Sequence, residues 1–141
     1  ITIAYASVYG HLKAAVEELA SALEARGQKV SVFDLARDDM AEAVEDAFRY
    51  DRLVLASITY QGEIFPFMST FIHTLAEHAY QNRTVALVEA GSWAPAAAKV
   101  MTKELEGMKD ITLAQNKVTV LGSLNDASRA QIEALADELS K

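Results

Sequence analysis

Three segments of this sequence carry residue types that suit a flat, phosphorylated ligand. Ser7 and Gly10 stand between an apolar run and a helical pattern. A hydroxyl, a glycine and the free N–H groups of a helix start can hold a phosphate without a lysine. Tyr60 and Trp93 follow two later apolar runs, and two aromatic side chains on neighbouring loops can sandwich a planar ring. Each segment alone also has a structural explanation, as an ordinary turn with a serine cap or as an aromatic plug at a sheet edge.

Other kinds of site have weaker support. His73 and His78 are five residues apart, which is poor spacing for two ligands on one helix face, and no carboxylate cluster accompanies them or His11. We therefore interpret the histidines as solvated or packing side chains and expect no metal site. The glycine-rich dinucleotide motif, the P-loop, the zinc-protease motif and the nucleophile elbow are also missing from the sequence, which excludes the commonest forms of those sites.

The composition is typical of a single domain with an ample core. The chain has 141 residues, of which 51% are hydrophobic, and no apolar run reaches the ~18 residues that a membrane span needs. Thirteen Lys and Arg against twenty Asp and Glu give a net charge of −7, which argues against nucleic acid as a partner. There is no cysteine, so any redox chemistry requires a bound cofactor. We expect a cytoplasmic protein, and a first residue that is Ile rather than Met indicates a piece of a longer chain.

Short apolar runs alternate with helical patterns along the chain. The runs are rich in Val, Ile and Leu without polar alternation, as in strands that are buried on both faces of a parallel sheet. They cover residues 1–6, 30–35, 53–57, 85–90 and 118–121. The helical patterns cover residues 12–23, 39–48, 67–75, 96–108 and 132–139. Gly27 is a natural helix stop, Pro66 suits a first helical turn, and Asn125 or Asp126 suits a helix cap.

Five strands alternating with five helices predict an open α/β sheet built of βαβ units. Residues 111–117 are less clear, and one interpretation is a strand interrupted at Gln115 and Asn116. Ligands of such sheets bind beyond the carboxyl ends of the strands, where the strand order reverses. The three segments described above follow the first, third and fourth strands, so the sequence predicts that they meet at one ligand site.

At these segments the sequence resembles the flavodoxin superfamily, which carries Ser/Thr-x-Ser/Thr-Gly-x-Ser/Thr after its first strand to bind the FMN phosphate. Residues 7–12 read Ser-Val-Tyr-Gly-His-Leu, and the form Ser-x-Tyr-Gly resembles the flavodoxin-like domain of flavodiiron proteins (A-type flavoproteins). Residues 57–60 read Ser-Ile-Thr-Tyr before a Phe-Pro pair, similar to that family's Ser-Pro-Thr-Tyr and Phe-Pro. Residues 91–95 read Gly-Ser-Trp-Ala-Pro, a loop found in some members. The resemblance spans essentially the whole chain.

The resemblance implies a flavodoxin-like, doubly wound five-stranded parallel sheet of order 2-1-3-4-5 with helices on both faces. Residues 1–141 then form one FMN-binding domain, a fragment of a larger flavodiiron protein. The implied FMN-binding residues, with no catalytic or metal-binding residue among them, are Ser7, Val8, Tyr9, Gly10, His11, Leu12, Ser57, Thr59, Tyr60, Gln61, Gly62, Glu89, Ala90, Gly91, Ser92 and Trp93.

The resemblance also implies a function in electron transfer. In the parent protein, FMN passes electrons to a diiron site on a domain of the metallo-β-lactamase fold, which reduces dioxygen or nitric oxide. The His-x-Glu-x-Asp-His motif of that domain is absent here, so this chain is an electron carrier without the diiron activity. The implied partners are the diiron domain, reached across a homodimer, and an electron donor such as rubredoxin or a reductase, with no nucleic acid or membrane. Carboxylates at Glu63 and Glu89, in the segments that hold the flavin ring, are expected to lower its redox potential.

Two alternatives stay open to different degrees. A response-regulator receiver shares the strand order, but it needs an acidic pair after the first strand and an aspartate at the end of the third, where this chain has Ser7-Val8 and Ser57. That interpretation is nearly excluded. A degenerate flavodoxin-like module that binds a partner protein and no flavin remains, because Leu12 and Glu63 depart from the flavodoxin pattern.

Overall fold

A computed structural model describes residues 1–7, 10–60, 63–91 and 95–141, and describes Tyr60 by its backbone alone. In chain order the elements are β1 (Thr2–Ala6), α1 (Gly10–Ala25), β2 (Ser31–Asp34), α2 (Met40–Arg49), β3 (Arg52–Tyr60), β4 (Glu63–Ile64), α3 (Pro66–Glu77), β5 (Arg83–Gly91), α4 (Ala97–Leu105), β6 (Ile111–Leu113), β7 (Val118–Leu121) and α5 (Asp126–Leu139).

The sheet is parallel along the order β2-β1-β3-β5, and both β6 and β7 pair with the outer side of β5. Strand β6 pairs with the beginning of β5, where Arg83 lies opposite Ile111, and β7 pairs with its end, where Val88 lies opposite Val118. Strands β6 and β7 are therefore two pieces of one outer strand. With that outer strand counted once, the predicted order 2-1-3-4-5 is confirmed, and so is its interruption at Gln115 and Asn116.

Helix α5 binds the segment that separates β6 from β7. The carboxylate of Glu138 accepts hydrogen bonds from the backbone N–H of Gln115 at 2.8 Å, the backbone N–H of Asn116 at 2.9 Å and Asn116 Nδ2 at 2.8 Å. Partial burial opposes ionisation of Glu138, but these three bonds outweigh it and keep the pKa of the carboxyl below its ordinary value. One helix side chain thus replaces the ladder bonds that the break removes.

Helices cover both faces of the sheet, and successive strand residues alternate between two cores. Ile3, Val54 and Val88 pack against α1 and α5, while Leu55 and Leu87 pack against α2, α3 and α4. The predicted apolar stripe of α1 is fully buried in the first of these cores; it consists of Leu12, Val16, Leu19 and Leu23. In the part of the chain that the structure describes, no helix is both long and apolar enough to cross a bilayer.

Local signals at the helix ends act as the sequence predicts. Asn125 caps α5 in a reciprocal capping box with Ser128, and Pro66 is the first residue of α3. Gly27 ends α1 with a φ of +84°, a left-handed conformation that favours glycine. Helix α4 differs, because it is preceded by Ala96, whose side chain has no hydrogen-bonding atom to cap it.

The structure corrects the boundaries of two loops. Strand β3 continues to Tyr60, and its last two residues pair antiparallel with the short strand β4, which the sequence did not predict. Strand β5 continues to Gly91. Thr59, which lies beyond the predicted strand run of residues 53–57, is therefore in a strand, and Glu89 lies inside β5, within its predicted run of residues 85–90. The physical reason is that main-chain pairing with a neighbouring strand extends both elements beyond their apolar runs.

Candidate functional site

A cleft lies at the carboxyl edge of the sheet, between the start of α1 and the ends of β3, β5 and β7. Its volume is about 160 Å³, which is room for one aromatic ring, since a cavity of about 150 Å³ accepts benzene. The lining residues are His11, Leu12, Ile58, Thr59, Ala90, Gly91 and Gly122. The structure thus brings together parts of all three sequence-predicted segments, at the edge where ligands of doubly wound sheets bind.

The start of α1 forms one wall of the cleft. The first N–H groups of a helix have no partner within the helix, and the helix dipole adds partial positive charge there. Gly10 is exposed, and a Cβ added to it would meet no atom within 4 Å in the part of the chain that the structure describes. Leu12 lines the cleft, but its side chain is fully buried in the core, so its backbone is the part that offers polar contact. Ser7 lies half-buried just after β1.

Polar side chains at the end of β3 connect this strand to its neighbours. Ser57 is fully buried, and its hydroxyl accepts a hydrogen bond from the N–H of Phe65 at 3.2 Å and donates one to the carbonyl of Ile58 at 3.0 Å. Ser57 therefore fixes the β4–α3 junction. Thr59 Oγ1 accepts hydrogen bonds from the N–H groups of Ala96 at 2.9 Å and Ala97 at 3.2 Å, so Thr59 joins the cleft wall to the start of α4.

Glu89 differs from the expectation that its charge lies beside the ligand. Its neighbour Ala90 faces the cleft, and the carboxylate of Glu89 points to the opposite face of the sheet, toward α4. The side chain is buried, and Lys117 Nζ lies 3.3 Å from Oε2. The correction follows from strand geometry, because neighbouring strand residues point to opposite faces. Glu63 is exposed in β4 and borders a separate groove along α4.

Several of the sequence-predicted residues lie outside the part of the chain that the structure describes. They are Val8, Tyr9, Gln61, Gly62, Ser92 and Trp93, and Tyr60 is described by its backbone alone, opposite Glu63. Their roles in binding stay predictions. No three His, Cys, Asp or Glu side chains within residues 1–7, 10–60, 63–91 and 95–141 lie close enough together to share a metal ion.

Two residues of the cleft were not predicted from the sequence. Ile58 lines the cleft at the end of β3. Gly122 forms the wall beside β7 and has a φ of +75°. The N–H of Gly122 donates a hydrogen bond to the carbonyl of Gly91 at 3.3 Å. A glycine directly after the last predicted strand is the signal that could have identified this wall, because turns at strand ends often need a positive φ.

Comparison with known proteins agrees with this architecture. A family model described as a flavodoxin domain matches residues 2–128. The fold is similar to that of rubredoxin oxygen:oxidoreductase from the anaerobe Desulfovibrio gigas, with a TM-score of 0.91 and 17% identity over 99% of this chain and 34% of that one. A flavodoxin from the domain Archaea matches with a TM-score of 0.85 and 17% identity over 99% of this chain and 94% of that one.

A third similar structure is the flavo-diiron protein from Thermotoga maritima, with a TM-score of 0.83 and 22% identity over 99% of this chain and 36% of that one. The chain therefore spans about a third of the length of the Desulfovibrio and Thermotoga proteins and nearly the whole length of the archaeal flavodoxin. No curated protein matches the chain.

Proposed function

The chain belongs to the flavodoxin domain family, and on that premise we propose that it binds FMN and carries electrons. A bound flavin supplies one- and two-electron redox chemistry, which a chain without cysteine or a metal cluster motif needs from a cofactor. The observation that carries the proposal is the cleft at the carboxyl edge of the sheet, where the start of α1 lies beside the ends of β3, β5 and β7.

The start of α1 fits the phosphate of FMN. The open space in front of Gly10 lets an anion approach the backbone closely. In this proposal the Ser7 hydroxyl and the N–H groups of residues 8–12 hold the phosphate. His11, at the mouth of the cleft, adds a side chain that can donate a hydrogen bond to it.

The ring end of the site rests on the ends of β3 and β5. The described part of the cleft there is apolar at Ile58 and Ala90, and Thr59 also lines it. Tyr60 and Trp93 would flank the isoalloxazine, with Gln61 and Gly62 at its polar edge. The test is optical, because Trp93 is the one tryptophan of the chain and its emission should fall when FMN saturates the site.

Titration of the flavin-free protein with FMN and with riboflavin tests the proposal. The two ligands share the ring and differ in the phosphate, so a phosphate site at α1 predicts that FMN binds at least about ten-fold more tightly, a difference of about 1.4 kcal/mol. Equal affinities would place the phosphate elsewhere. If neither flavin binds, the chain is the degenerate module that engages a partner protein instead.

We further propose that the chain is part of a longer flavodiiron protein, which is supported by its spanning about a third of the Desulfovibrio and Thermotoga proteins. There it would accept electrons from a donor such as rubredoxin or a reductase and pass them to a diiron domain that reduces dioxygen or nitric oxide. A diiron domain of such a protein, added in trans, should speed the oxidation of the reduced chain. The absence of any acceleration would contradict this partner.

A further inference from the structure

Helix α4 takes its N-terminal caps from two neighbouring strands. The N–H groups of Ala96 and Ala97 donate to Thr59 Oγ1 of β3, and the N–H of Ala98 donates to Glu89 Oε1 of β5 at 3.0 Å. Most helices satisfy such groups with a Ser, Thr, Asp or Asn at their own N-cap, as Asp39 does for α2. The start of α4 is therefore fixed to the ends of β3 and β5, two of the strands that border the cleft.

Glu89 is itself held firmly from the outer strand. Its second carboxylate oxygen accepts a hydrogen bond from Thr119 Oγ1 of β7 at 2.8 Å and lies 3.3 Å from Lys117 Nζ. The residue is 3% exposed. A carboxylate in such a place is stable because a cation and the positive end of a helix compensate its charge. Glu89 thus links β5, β7 and α4 through one rigid group.

We propose that Glu89 is a positioning residue for the flavin site, acting through the start of α4. Thr59 lines the cleft. It accepts hydrogen bonds from the N–H groups of Ala96 and Ala97, and Glu89 accepts one from the next N–H, that of Ala98, so the same helix start is tied both to the cleft wall and to Glu89. A cleft wall that is fixed before binding reduces the entropy that a ligand must remove. The inference rests on the proposed function.

This role differs from an electrostatic effect on the flavin. The carboxylate of Glu89 points away from the cleft and is compensated by Lys117, so its hydrogen bonds matter and its charge does not. Glutamine at this position can still accept the bond from the Ala98 N–H, and its amide group can donate to the Thr119 hydroxyl. Alanine can do neither. Comparison of the two substitutions therefore distinguishes a positioning role of Glu89 from an effect of its charge.

The experiment compares Glu89→Ala, Glu89→Gln and Thr119→Val with Asp39→Ala, which removes the cap of α2 away from the cleft. Hydrogen exchange of the Ala98 amide in flavin-free protein and the Kd for FMN are measured for each.

We expect Glu89→Ala to speed that exchange and to weaken FMN binding about ten-fold, the change that 1.4 kcal/mol produces. Glu89→Gln should restore the affinity and leave the flavin potential unchanged. Thr119→Val, which keeps the shape of the core, should move both readouts in the direction of Glu89→Ala.

Three results would overturn the inference. Faster exchange at Ala98 with unchanged FMN affinity would show that Glu89 only stabilises the helix. An equal loss of affinity in Asp39→Ala would show a general effect of stability. A raised flavin potential in Glu89→Gln would show an electrostatic role. If the unsubstituted chain binds no FMN, the proposed function fails first, and the positioning role fails with it.

Discussion

The backbone N–H of Gly122, after β7, donates a hydrogen bond to the carbonyl of Gly91, at the end of β5, at 3.3 Å. This bond continues the pairing of two parallel strands one step beyond β7 and closes one wall of the cleft with two residues that have no side chain. Gly122 has a φ of +75°, and a Cβ there would meet no atom of the described residues within 4 Å. The space in front of it is therefore open to a ligand.

Gly122→Ala is expected to weaken both folding and FMN binding. A non-glycine residue in the left-handed region costs about 1–2 kcal/mol, and the added methyl group intrudes on the cleft. Gly27→Ala is the matched control, because Gly27 has a φ of +84° and open surroundings and lies outside the cleft. Thermal unfolding should show similar losses for both variants, and titration a several-fold higher Kd for FMN only in Gly122→Ala. Equal Kd values would remove Gly122 from the site.

Gly10→Val should reduce the affinity for FMN by about ten-fold or more and leave riboflavin binding nearly unchanged, because the side chain would fill the space in front of the α1 amides. Gly107→Val serves as the control, since Gly107 also has open surroundings and lies after α4. Isothermal titration with both flavins checks the result. Equal losses for FMN and riboflavin would mean that the phosphate does not bind at Gly10.

Glu63→Gln should raise the potential at which the bound flavin takes up its second electron. A carboxylate about 10 Å from the ring opposes added negative charge by ~0.4–1.7 kcal/mol at an effective dielectric between about 80 and 20, which is roughly 20–70 mV. Glu63 is exposed, so salt should shrink the effect. Potentiometry at low and high salt measures it. No shift at low salt would place the ring far from β4.

Glu138→Gln should destabilise the fold in a pH-dependent manner. Its pKa is lowered in the folded state from the ordinary value of 4.5, so its ionised form adds stability above that pH and loses this contribution as pH falls through the lowered pKa. Denaturant unfolding should therefore show a stability gap between the two proteins at pH 7 that narrows below about pH 4.5. A gap that is constant with pH would mean that the charge of Glu138 contributes nothing to holding residues 115 and 116.

Much of the fold could be predicted from the sequence because its signals are local. The apolar runs and the helical stripes follow from the periods of strand and helix. Asn125, Pro66 and Gly27 act within a few residues of themselves through hydrogen bonding or backbone preference. The break in the outer strand could also be predicted, because the polar pair Gln115 and Asn116 interrupts an apolar pattern.

The meeting of the three predicted segments at one edge of the sheet was predictable to the same extent. Parallel strands place their carboxyl ends at one edge, so segments that follow different strands must meet there. Ser7, Thr59 and Gly91 reach this edge as expected. The short strand β4 was not predictable, because two residues carry no period, and its pairing depends on the turn that returns the chain to β3.

Only the tertiary structure decided which face Glu89 occupies and what its carboxylate does. A polar residue in a buried strand has the same sequence context whether it points to the cleft or to α4. The register of β5 against β3 and β7 determines which face of the sheet the side chain occupies. The same holds for Gly122, which borders the cleft because β7 pairs with the end of β5. Contacts between residues that are far apart in the chain exist only once the sheet has assembled. They therefore cannot be predicted from a local sequence pattern.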